Sequence, residues 1–157
     1  MNRIILTVAC ALIISCSCLA QEKAAVLPPE PGELIRAVKS SRNDSGLALE
    51  NVRALIEQGA DVNYVDRYGV TPLAYAADVG DLEMTEYLLS KGARHDAGTE
   101  RPLIIAAGMG RLNIVEFYLE NGIPIDTVSA KGETALQVAL RWDQPGVVAY
   151  LRSKGAK

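Results

Sequence analysis

From Asp66 to Ala93 the apolar positions fall into two blocks with helical spacing. In the first, Leu73, Ala76 and Ala77 share one narrow face; in the second, Leu82, Tyr87, Leu88 and Leu89 recur. The residues around the blocks punctuate them. Tyr68-Gly69 reads as a turn, and the Thr71 hydroxyl is placed to cap a helix whose first position is Pro72, where a missing N–H costs nothing. Gly80 and Gly92 stand where the two helices must stop, because glycine accepts the left-handed cap conformation. The stretch predicts turn, helix, turn, helix.

The same punctuation recurs along the chain. Closing glycines stand at Gly59, Gly92, Gly122 and Gly155, spaced by 33, 30 and 33 residues. Openings stand at Thr71-Pro72-Leu73, Arg101-Pro102-Leu103 and Thr134-Ala135-Leu136. A period near 33 with a T-P-L-x-x-A-A core resembles the ankyrin repeat. The resemblance covers Glu33 to Lys157 and implies an all-α solenoid of about four helix-turn-helix units with short projecting hairpin loops.

The units read as 33–65, 66–95, 96–128 and 129–157, the first and last as caps. In the first, Leu34, Ala37 and Val38 match the first helix, and Val52, Leu55 and Ile56 the second. Between them Ser40 to Gly46 reads as an inserted loop of about six residues. The third unit lacks three residues between Gly92 and Pro102, which predicts a stunted hairpin. The family's histidine after T-P-L is replaced by Ala74, Ile104 and Gln137, which removes hydrogen bonds between units. In the last unit Asp143 reads as the cap before Pro145, and Arg152 stands where an inner unit has a leucine.

Residues 1–20 look like a secretory leader: an early Arg3, an apolar core from Ile4 to Ile14, and small residues after it. Two cleavage readings stand. Ile13-Ile14-Ser15-Cys16 resembles a lipobox, which would leave a lipidated Cys16, while an ordinary peptidase would cut after Ala20. Residues 21–32, with Pro28, Pro29 and Pro31, read as an extended tether. Cys10, Cys16 and Cys18 all lie in the leader, so the mature chain has no thiol for a disulfide, a nucleophile or a metal.

Charge narrows the partner. Without Arg3 the chain carries 15 basic and 19 acidic residues and no basic run, which argues against nucleic acid and against adhesion to an anionic membrane. Candidate chemistry is thin: the single histidine, His95, reads as an exposed loop residue, and Asp78, Asp81, Glu83 and Glu86 as solvated charge. Neither a metal spacing nor a phosphate-cradling glycine motif is present, so the expectation is a non-enzyme without cofactor or metal.

What remains is a binding surface. In ankyrin-repeat proteins the hairpin tips and the exposed side of the first helices grip a protein partner. Carried onto this sequence, the resemblance points to Arg67, Tyr68 and Val70, then Asp78 and Val79, then Met109. It adds Ala130, Lys131 and Glu133, and finally Arg141 and Trp142. Trp, Tyr and Arg are the side chains that most often dominate binding energy. For Trp142, packing over the last unit is the competing reading. The expectation is an exported binder of one protein, in the periplasm or anchored in the outer membrane through Cys16. It would be an immunity protein that blocks a toxic enzyme; the alternatives are an accessory factor for a periplasmic enzyme, as in oxidative-stress defence, or a structural envelope component.

Overall fold

The computed structural model describes residues 29–157. The leader, Cys16 and most of the tether lie outside them. Eight helices follow one another: α1 (Glu33–Ser40), α2 (Ser45–Glu57), α3 (Pro72–Val79), α4 (Leu82–Ser90), α5 (Pro102–Gly108), α6 (Leu112–Glu120), α7 (Ala135–Arg141) and α8 (Pro145–Ser153). Among the described residues there is no strand, only an isolated antiparallel bridge between Val128 and Thr134. The fold is an all-α ankyrin solenoid.

The caps explain the helices. Thr71 Oγ1 accepts the Ala74 N–H at 3.2 Å, Pro72 opens α3, and Gly80 ends it at φ 87°. Thr134 and Gln137 form a reciprocal capping box at α7, so the residue in the family's histidine position has a local task. Between the first two units Asn63 ties the loops together. Its amide donates to the Gly92 carbonyl at 3.1 Å and accepts the Arg94 N–H at 2.8 Å.

The first helices α1, α3, α5 and α7 stack in order, and each is packed by the second helix of its own unit. Small residues let the backbones approach: Ala76, Ala77, Ala106, Ala107 and Ala139 are fully buried. Two apolar clusters result, and they meet at α3. Leu73 and Ala76 join Val38, Val52, Met84 and Leu88, while Ala77 joins Leu103, Ile114, Tyr118 and Leu151.

Three details differ from the sequence reading. The loop expected over Ser40 to Gly46 is only residues 41–44, because Asp44 accepts the Leu47 N–H at 3.0 Å and makes Ser45 and Gly46 the first turn of α2. Asp143 is not a cap. It adopts φ 52°, taking the left-handed place that Gly80 and Gly110 hold in the preceding units, and Gln144 stands at the α8 N-cap without a side-chain bond. In α4 the buried residues are Met84, Thr85 and Leu88, with Leu82, Tyr87 and Leu89 only half-buried.

Hairpins 66–70 and 129–133 close alike, the Asp66 N–H on the Val70 carbonyl and the Ser129 N–H on the Glu133 carbonyl. The middle one is stunted as expected: Thr99 turns its N–H to the Gly69 carbonyl of the preceding hairpin at 2.9 Å.

Candidate protein-binding groove

Between α5, α7 and hairpin 129–133 lies a groove of about 160 Å³. Ile104, Ile105 and Val138 supply apolar wall, and Met109 and Trp142 stand at its edge, 43% and 56% exposed. Its floor depends on Gly108. A methyl group there would sit 3.0 Å from Val138 Cγ1, tighter than an ordinary contact, and 3.8 Å from Trp142 Cδ1, so the missing side chain lets α5 and α7 approach closely beneath the groove. At the polar rim Arg141 is paired with Glu133, while Lys131 and Glu100 have no ion-pair partner among the described residues.

Six residues singled out from sequence therefore converge here: Met109, Ala130, Lys131, Glu133, Arg141 and Trp142. Trp142 is not packed over the last unit; it is exposed. Asp78 and Val79 line a neighbouring, wider polar cleft with Ser41, Arg42 and Arg111, and Met109 borders both recesses. There the Asp78 carboxylate is paired with Arg42, and its carbonyl accepts from Arg111 Nε at 3.2 Å. Arg67 and Tyr68 stand apart, at the tip of the first hairpin. They satisfy each other, with the guanidinium 4.7 Å from the ring centre and Nη2 2.7 Å from the hydroxyl. Val70 is half-buried and donates its N–H to Asp66 Oδ1 at 3.0 Å.

That first hairpin is held by its carboxylate. Asp66 accepts from the Tyr68 and Val70 N–H groups and, at 2.8 Å, from the Tyr75 hydroxyl, whose ring lies 3.9 Å from Lys39 Nζ. Burial pushes the Asp66 carboxyl up, but these donors outweigh it and leave its pKa below the ordinary value. Burial, with the Asp66 carboxylate beside it, raises the Tyr75 phenol.

Sequence reasoning missed Glu100, Ile104, Ile105, Gly108 and Val138 in the groove, and Ser41, Arg42 and Arg111 in the cleft. Ile104 and Ile105 break the small-residue pattern of their helix, which was the available signal. The acidic cluster disperses: Asp78 pairs with Arg42, Asp81 caps α4 through the Met84 N–H at 3.0 Å, and Glu83 and Glu86 point to solvent. His95 is exposed beside an Arg94–Asp96 ion pair. Among the described residues no three acidic, histidine or cysteine side chains cluster as a metal site, and no helix is long and apolar enough to cross a membrane.

Stacked helix pairs of this kind define a helical repeat module. The family model for ankyrin repeats (3 copies) matches residues 34–99 and 94–157, and the chain belongs to the ankyrin-repeat family. Ankyrin repeats are in general non-catalytic interaction modules. A Caenorhabditis elegans transient receptor potential cation channel subfamily A member 1 homolog is 32% identical over 104 residues, covering 64% of this chain and 9% of its own length. The ankyrin repeat, SAM and basic leucine zipper domain-containing protein 1 of Dasypus novemcinctus is 29% identical over 146 residues, 88% of this chain and 30% of its own. Protein phosphatase 1 regulatory subunit 27 of Mus musculus is 38% identical over 82 residues, 44% of this chain and 53% of its own. This chain spans only a fraction of these relatives.

Proposed function

We propose that this chain is exported and binds one protein partner through the groove, blocking an enzyme delivered to the cell envelope as an immunity protein does. The carrying observation is the convergence of Met109, Lys131, Glu133, Arg141 and Trp142 from two repeats onto one recess. A stack of packed helices loses little conformational freedom on binding, which favours affinity. The leader pattern of residues 1–20 supports export, with the tether or a lipid on Cys16 fixing the module in the envelope. One of the relatives is by name a regulatory subunit of an enzyme, which supports a binder that acts on an enzyme's activity.

The test is affinity capture from envelope fractions of the source organism, with wild type beside Trp142→Ala and Tyr68→Ala, followed by titration of the purified partner. A partner lost in Trp142→Ala and inhibited at one-to-one stoichiometry is the expected result. Activation of that partner would replace inhibition by an accessory role. Full retention by Trp142→Ala would remove the groove from the mechanism.

A further inference from the structure

We propose that the groove is an anchor pocket for one aromatic side chain of the partner, a phenylalanine-type ring. This rests on the groove being the binding face, and goes beyond it by stating what enters. The size favours a small occupant. Sites for metabolites and cofactors run to about 300–1,000 Å³, whereas an apolar cavity of about 150 Å³ holds a single benzene ring. The groove measures about 160 Å³.

The lining agrees with the size. Ile104, Ile105 and Val138 are aliphatic walls, and at Gly108 the floor presents backbone with no side chain of its own. Trp142 and Met109 at the edge favour an aromatic over an aliphatic guest, since rings pair with rings and thioether sulfur sits well against a ring edge. The rim places no net demand for charge: Arg141 is already matched by Glu133, and Lys131 and Glu100, unpaired among the described residues, add one charge of each sign. An uncharged ring therefore enters without stranding a buried charge.

N-acetyl-phenylalanine amide, titrated into the full chain to about 50 mM, tests this, because so small a ligand binds in the millimolar range. The Met109 methyl and the indole N–H of Trp142, the only tryptophan, should shift saturably, while the methyl of fully buried Met84 stays still. N-acetyl-leucine amide should bind about threefold more weakly or worse. Trp142→Ala, at an exposed position, and Gly108→Ala, whose methyl presses on Val138 in the groove wall, should each weaken the phenylalanine amide about tenfold, with melting curves showing that both fold. No saturable shift, equal binding of the leucine amide, or unchanged binding by both variants overturns the proposal. If the captured partner depends on Trp142 and the phenylalanine amide does not bind, the anchor is wrong and the binding face stands. If the amide binds as described and the partner ignores Trp142, the binding face is what fails.

Discussion

Tyr118 puts a phenol where water does not reach. The side chain is fully buried in α6 and its hydroxyl makes no hydrogen bond among the described residues. Burial drives its pKa upward, with a smaller opposing pull from the nearby Thr85 hydroxyl, whose own hydrogen goes to the Asp81 carbonyl at 2.8 Å. An unpaired buried hydroxyl costs about 1–3 kcal/mol, so Tyr118→Phe should leave the packing and raise stability by about 1 kcal/mol, read as a higher midpoint in urea. A lower midpoint would mean that the hydroxyl is satisfied after all. At this scale sequence was an uneven guide. Tyr118 falls among the apolar residues of its helix, which fits its place in the core. Its missing partner was not legible, since that depends on side chains from α4. Asp143 was misread because an Asp shortly before Pro145 has the look of a helix cap. The repeat register, which sets it against Gly80 and Gly110, carried the better signal.

Helices and hairpins were easier to read than single residues. Thr71, Pro72 and Gly80 determine α3 by local chemistry, and no contact from elsewhere is needed to place its ends. The start of α2 was hidden because Ser, Asn, Asp and Gly describe a loop and a helix N-terminus equally well. Only the bond from the Leu47 N–H to Asp44 separates them. The first hairpin depends on Asp66, which joins α1, α3 and the loop through Lys39, Tyr75 and two backbone N–H groups. Asp66→Ala removes three bonds and should cost about 2 kcal/mol at neutral pH. The sign of its pH dependence follows from the lowered carboxyl. The folded chain holds that proton less tightly than the unfolded one, so the carboxylate's contribution is complete above the unfolded value of 3.8 and fades as pH falls through the lower folded value. The gap between wild type and Asp66→Ala should thus shrink in urea melts taken below pH 3.8. A gap constant with pH would remove the carboxylate from the account.

The whole molecule is a one-dimensional stack, in which each unit is stabilised by its neighbours. Its period was legible in full, because glycines and leucines repeat at the same offsets. The groove was legible only in part. Its rim residues stand at positions where the family exposes side chains, but its apolar wall comes from Ile104 and Ile105 on one repeat facing Val138 on the next. The two apolar clusters meet at Ala77, where α3 faces α5 with no room to spare. Ala77→Leu should overpack this junction at a cost of about 1–3 kcal/mol and split one unfolding transition into two, seen by calorimetry. A single transition, merely shifted, would show that the clusters melt as one.

Asp143 has a bearing on how such a stack is lengthened. Arg111 lies across Gly80, and Gln144 lies across Gly110, so that a side chain at either glycine would strike the residue that follows it in the next unit. Asp143 holds the same register at φ 52° and carries a side chain where those glycines carry none. A designer who grafts another unit onto α7 and α8 would therefore meet a plug before meeting a docking face. Matching the apolar surfaces would not be enough. The graft would need Asp143→Gly first, and an array built without it should remain frayed at the new joint.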